Sequence, residues 1–263
     1  MTDVSFERRG AGDPIVLVHG LGSRWEIYEP VLDLLAASHD VISVDLPGFG
    51  VEPLTSDVEP GPLGYASWLA DLLLDLDVKD PHVVGNSMGG GIALELGRRG
   101  VASRVTAFSP IGFWHTPGRI WTQSVLTVLR SIGMAASPAI DRMAAIPPLK
   151  AALLGSVIAR PSQVSTSDAV LHIRGIIEAK GFPAARNSFS HYALSVGDDL
   201  GSLPDIPVTI AWGTRDVVLP HRTQSARARD LMPFARHVDL KGLGHTPFSD
   251  DPELCARVIL QEQ

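Results

Sequence analysis

The chain has 263 residues, 45% of them apolar and 19% charged, the profile of a globular protein with a sizeable core rather than of a disordered segment. Its net charge of −7 argues against nucleic acid or an anionic membrane as the main partner. Cys255 is the only cysteine, which rules out an intrachain disulfide, and residues 1–7 show no basic start followed by an apolar stretch, so a cytoplasmic protein is the expectation.

Residues 15–18 are continuously apolar and predict a short buried strand ending at His19-Gly20-Leu21-Gly22. Residues 25–37 follow with helical spacing, with Ile27, Val31, Leu34 and Leu35 on one face. A second strand is expected at 41–44, closing on Asp45-Leu46-Pro47-Gly48, and an amphipathic helix at 65–76. Val83 and Val84 begin a strand that runs into Gly85-Asn86-Ser87-Met88-Gly89, and Ile92-Ala93-Leu94-Glu95-Leu96 continues as a helix. Another strand is expected at 105–108.

Residues 111–200 break this rhythm with helical stretches rich in Ala, Leu, Ile and Met, punctuated by prolines. They read as a helical lid inserted into a core made of 1–110 and 201–263. Part of this region, 124–159, is strongly apolar, but Arg130, Asp141, Arg142 and Lys150 interrupt it, as do Pro138, Pro147 and Pro148. No uninterrupted run approaches the ~20 residues needed to span a bilayer, so no stable membrane insertion is expected. Strands at 208–212 and 235–240, with a helix between them, and a closing helix at 254–260 complete the chain. Continuous apolar strands alternating with helices imply an α/β fold, its sheet mostly parallel and covered on both faces.

The strand–turn–helix context of Gly-x-Ser-x-Gly is how a chain presents a serine as a nucleophile. The turn is strained, and a Cβ at Gly85 or Gly89 would keep strand and helix from approaching. Ser87 needs a base, and the base needs a group that fixes its tautomer. Of nine histidines, His245 fits best, in the tight loop Gly242-Leu243-Gly244-His245-Thr246-Pro247 just past a strand. Asp216, in Gly213-Thr214-Arg215-Asp216, also follows a strand and is the expected acid. Asp239 lies inside a strand pattern, and Asp45 reads as a turn organiser.

The oxyanion requires backbone donors, expected from Met88 at a helix N-terminus and from Leu21 in the loop after the first strand. His19 is expected to brace that loop rather than act as a base. Gly48-Phe49-Gly50 lacks the third glycine of a dinucleotide loop, and no phosphate-loop motif occurs. His115, His172, His191 and His221 match no metal spacing, so neither metal nor organic cofactor is expected. Within the inserted region Trp114, Trp121, Met134, Met143 and Leu153 are the candidate pocket-lining residues.

Taken in order, His19-Gly20-Leu21-Gly22, Asp45-Leu46-Pro47-Gly48-Phe49-Gly50, Gly85-Asn86-Ser87-Met88-Gly89-Gly90, Gly213-Thr214-Arg215-Asp216 and Gly244-His245-Thr246-Pro247 resemble the α/β-hydrolase family over nearly the whole chain. The order Ser, Asp, His is that family's order. The resemblance implies a mostly parallel, eight-stranded sheet with a helical lid at about 111–200. Dehalogenases and most epoxide hydrolases of the family carry Asp where this chain has Ser87, which disfavours both. Hydrolases that cleave carbon–carbon bonds in vinylogous diketone ring-fission products share Gly-Asn-Ser-Met-Gly-Gly. They typically have Trp after the catalytic His, where this chain has Thr246. The resemblance therefore implies a serine esterase acting through an acyl-enzyme on a small to medium apolar ester. Carbon–carbon hydrolysis, or ligand binding with little turnover, is the alternative.

Overall fold

A computed structural model describes residues 4–261 of the protein; Met1–Asp3, Glu262 and Gln263, expected in the core unit, lie outside the described residues. Seven strands form one sheet in the order β1-β3-β2-β4-β5-β6-β7 among the described residues. They are β1 (Phe6–Arg9), β2 (Asp13–Val18), β3 (His39–Val44), β4 (His82–Asn86), β5 (Arg104–Phe108), β6 (Val208–Gly213) and β7 (Arg236–Leu240). Only the β1–β3 pair is antiparallel. The count is seven where the family resemblance implied eight. β1 escapes the apolar pattern because it is a charged edge strand, Phe6-Glu7-Arg8-Arg9, with Arg8 paired to Asp40 at 2.6 Å.

Alternation along the central strands feeds two cores. Ile15 and Leu17 of β2 point to the face covered by α1 (Glu29–Ala36) and α10 (Pro252–Leu260). Val16 and Val18 point to the opposite core, shared with α2 (Pro62–Asp75) and α3 (Met88–Arg98). Residues 25–37 do not form one helix. A 3-10 turn at Trp25–Tyr28 precedes α1, and the tighter winding of that turn shifts the register. Leu32 joins Val31 and Leu35 in the core, while Leu34 is left 40% exposed, against expectation.

The chain runs from β2 outward to β3, then crosses back to place β4 on β2's other side. The C-terminal ends of β2 and β4 therefore border a topological switch point, where the outgoing loops diverge and leave a crevice. Between β5 and β6 come α4 (Thr116–Ala136), α5 (Ile140–Ala145), α6 (Pro147–Leu154), α7 (Thr166–Glu178) and α8 (Phe182–Ser188), with no strand among the described residues. The first four pack around a small core of their own that includes Ile140, Leu154, Ile158 and Ile173. In contrast, Phe182, Ala185 and Phe189 join the main core. The last helix before α10 is α9 (His221–Leu231). No helix among the described residues is long and apolar enough to cross a membrane.

His82 opens β4 in a buried position, its Nε2 2.9 Å from Thr106 Oγ1. Burial, with Arg104 and His39 adding to it, pulls its pKa from the ordinary 6.5 down to about 3. The unfolded chain takes up this proton below 6.5 while the folded chain does not until about 3, so stability is complete above 6.5 and declines as pH falls through that window. Between pH 7 and pH 5 the group is expected to remove about 2 kcal/mol. Urea unfolding of wild type and His82→Gln at both pH values checks this. The Gln variant should show the shallower pH dependence, and identical slopes would refute the assignment.

Candidate active site

The site starts from the turn that ends β4. Ser87 caps α3 with φ 58° and ψ −114°, a left-handed conformation that a residue with a Cβ adopts only when its surroundings enforce it. The enforcement is local. Ser87 N–H donates to Phe108 O at 2.9 Å, and Ser87 O accepts from Gly91 and Ile111 N–H, each at 3.1 Å. A Cβ on Gly85 would collide with the Gly89 carbonyl, and one on Gly89 with the Val18 carbonyl. The loop after β2 passes equally close, since a Cβ on Gly20 would stand 3.0 Å from Ser87 Cβ.

Asp216 and His245 come from the loops after β6 and β7, and the structure brings them together. Asp216 Oδ2 lies 2.7 Å from His245 Nδ1, with the two side chains 0% and 5% exposed. The other carboxylate oxygen accepts N–H bonds from Val218 at 2.9 Å and Leu219 at 2.8 Å. A carboxylate only accepts, so the Nδ1 hydrogen of His245 goes to Asp216, leaving Nε2 of the neutral ring with its lone pair free. Asn86 ties this loop to β4: its Nδ2 donates to His245 O at 2.9 Å and to Phe108 O at 3.2 Å. That bracing is not evident in the sequence, because both acceptors are backbone carbonyls far along the chain.

His19 is fully buried and does brace its loop. Its Nε2 accepts Leu46 N–H at 3.0 Å, so the ring hydrogen sits on Nδ1, 2.8 Å from Gly20 O. Burial lowers its pKa, outweighing the opposing pull of Asp45. Asp45 organises the neighbouring turn, accepting Trp25 N–H at 2.8 Å and Val51 N–H at 3.1 Å.

Ser87, His245 and Leu21 border one cavity of about 90 Å3. Met88 does not line it; its side chain is buried in the main core, and as the first residue of α3 its N–H has no intrahelical acceptor. The far wall is apolar: Leu126, Leu129 and Ile132 from α4, Leu153 and Leu154 from α6, Ile173 and Ile176 from α7. His172 joins them; burial pulls its pKa to about 4 against the influence of Asp168, so the ring is neutral at neutral pH.

Of the five expected lining residues, Leu153 lines this cavity and four do not. Trp114 is buried in the main core, donating to Tyr192 O at 2.9 Å with its ring 5.4 Å from Phe189. Trp121 is 51% exposed and donates to Val217 O at 2.8 Å. Met134 is 56% exposed on the outer side of α4, and Met143 packs against the insertion's own core. Positions 126, 129 and 133 share the inward face of α4, and 121 and 134 are rotated off it. The i, i+3, i+7 spacing of Leu126, Leu129 and Gly133 was the available signal. His115, His172, His191 and His221 do not converge, and no group of three or more His, Cys, Asp or Glu among the described residues is placed to hold a metal ion.

A model of the Alpha/beta hydrolase family matches residues 15–258. An uncharacterized protein of Mycobacterium tuberculosis is 28% identical, the match covering 94% of this chain and 74% of that protein. Among solved structures, a thermophilic esterase from Thermogutta terrifontis superposes with a TM-score of 0.75 at 22% identity, covering 98% of this chain and 92% of the other. A meta-cleavage product hydrolase from Pseudomonas fluorescens IP01 gives 0.70 at 20% identity, covering 98% and 93%. At these identities the two structures share a fold with this chain, and the fold alone does not choose between their chemistries.

Proposed function

The chain belongs to the α/β hydrolase family, and on that premise we propose that it is a serine carboxylic-ester hydrolase for small to medium, uncharged apolar acyl esters. The observation that carries this reading is the buried Asp216–His245 hydrogen bond of 2.7 Å at a cavity that His245 shares with Ser87. Ser87 Oγ attacks the ester carbonyl as His245 Nε2 takes its proton, and Asp216 stabilises the imidazolium so formed. The amides of Leu21 and Met88 hold the tetrahedral oxyanion. His245 then returns the proton to the leaving alcohol, and water repeats the sequence on the acyl-enzyme. The chemistry requires no cofactor.

The cavity wall supports an ester over the ring-fission alternative. Among the described residues its lining contains no Lys or Arg, and His172 is neutral there, so a substrate carboxylate in this cavity would be desolvated without a cation. Thr246 after the base points the same way. The apolar side chains that α4, α6 and α7 present to this cavity suit a small to medium apolar acyl group. A panel of p-nitrophenyl esters from acetate to decanoate tests the reading, run beside carboxylate-bearing vinylogous diketones. We expect kcat/KM to peak at short to medium acyl chains and the diketones to be poor substrates. Faster turnover of the diketones would overturn the ester assignment, and a maximum at decanoate would overturn the size assignment.

A further inference from the structure

We infer that Asp250 is a positioning residue for the catalytic base, joining the His245 loop to the wall of the substrate cavity; this rests on His245 being the base. Asp250 follows the short 3-10 turn Pro247–Ser249 and is 3% exposed. Its carboxylate is fully engaged by backbone. Oδ2 accepts Gly244 N–H at 2.9 Å and Ala159 N–H at 3.0 Å, and Oδ1 accepts Arg160 N–H at 2.7 Å. The Arg160 guanidinium returns to the Asp250 carbonyl at 3.0 Å. Helix capping does not account for this carboxylate, because the neighbouring Asp251 caps α10 by accepting Leu254 N–H at 3.0 Å.

The consequence lies in what flanks His245. Gly244, before it, is held by Asp250, and Thr246, after it, donates its N–H to Val157 O at 2.8 Å. Gly244 is packed directly on the same segment, where a Cβ would stand 2.7 Å from Val157 O and 2.8 Å from Ala159 N. Val157 also lines the cavity. The stretch 157–160, leading out of α6, thus supplies Val157 to the pocket wall and at the same time fixes the backbone on both sides of the base. Asp250 is the side chain that bridges the two segments. The helical insertion is therefore a support for His245 as well as a boundary of the acyl pocket, and a shift in that wall moves the imidazole relative to Ser87.

The test compares the full-length wild type with D250N and, as the control, D251N at the neighbouring helix cap. In D250N one acceptor oxygen becomes an NH2 group: at Oδ2 it breaks the Gly244 and Ala159 bonds, and at Oδ1 it breaks the Arg160 bond, so in either orientation the hold on 157–160 is weakened and an N–H donor is left facing a donor. Two readouts are taken: the rate at which a fluorophosphonate probe labels Ser87, and kcat and KM for p-nitrophenyl butyrate, with circular dichroism as the check on folding. A misplaced base is expected to slow labelling and kcat together by about 10²-fold while KM stays near wild type. D251N removes the neighbouring charge but leaves all three amide bonds to the Asp250 carboxylate, and it should label close to the wild-type rate. If D250N does not fold, D250E carries the test: it keeps the charge but displaces it by one methylene, and slowed labelling of a folded protein is again expected. Wild-type labelling in a folded Asp250 variant, or a rise in KM with kcat unchanged, would overturn the inference. Labelling does not depend on which ester is the substrate, so a wild type that labels but leaves the esters intact would count against the ester reading alone.

Discussion

Replacing Ser87 by alanine is expected to lower kcat for p-nitrophenyl butyrate by about 10⁶ while leaving the fold in place. The size of the loss follows from the division of labour at the site. In the proposed mechanism the hydroxyl is the nucleophile that His245 activates; without it, the proposed oxyanion donors act only on a bound ester and water. The fold should persist because the turn is fixed by backbone bonds that alanine retains, from Ser87 N–H to Phe108 O and from Gly91 and Ile111 to Ser87 O. Circular dichroism and initial-rate measurements on S87A check both halves. A folded variant with substantial turnover would remove Ser87 from the mechanism.

Asp216→Asn is expected to cost about 10⁴ in kcat with little change in structure. The carboxamide of this variant would still accept the Val218 and Leu219 amides through its carbonyl oxygen, as Asp216 Oδ1 does at 2.9 and 2.8 Å. Its NH2 would then face His245 Nδ1, where Asp216 Oδ2 now accepts at 2.7 Å. A donor in that place forces the imidazole hydrogen onto Nε2, the atom that must take the proton from Ser87. The imidazolium would also lose its counter-charge. Steady-state kinetics of D216N beside a thermal melt separate these effects from unfolding, and a wild-type kcat would mean that Asp216 does not orient the base.

Much of this arrangement is legible in the chain because it is local. The strands β2 to β6 are apolar on both faces, so each reads as a short continuous run, and the glycines around Ser87 follow from collisions with backbone only a few residues away or in the adjacent loop. β1 is illegible because an edge strand carries the charges that keep it soluble. The pocket wall is only partly legible. Bulk and hydrophobicity single out Trp114, Trp121, Met134 and Met143, but lining depends on helix rotation and on which core each helix serves. Asn86 and Asp250 are hidden for a different reason. Their partners are backbone groups 159 and 91 positions away, and a backbone group carries no side-chain signature in a sequence.

The proposed activation of Ser87 can be tested without knowing the substrate. Wild type and S87A are incubated with a fluorophosphonate probe at neutral pH, digested, and mapped by mass spectrometry. A single adduct on the peptide containing Ser87, absent from S87A and slowed in D216N, is the expected result. A wild type that forms no adduct, or one whose adduct sits on a different serine, would contradict the assignment of Ser87, His245 and Asp216 as a working unit.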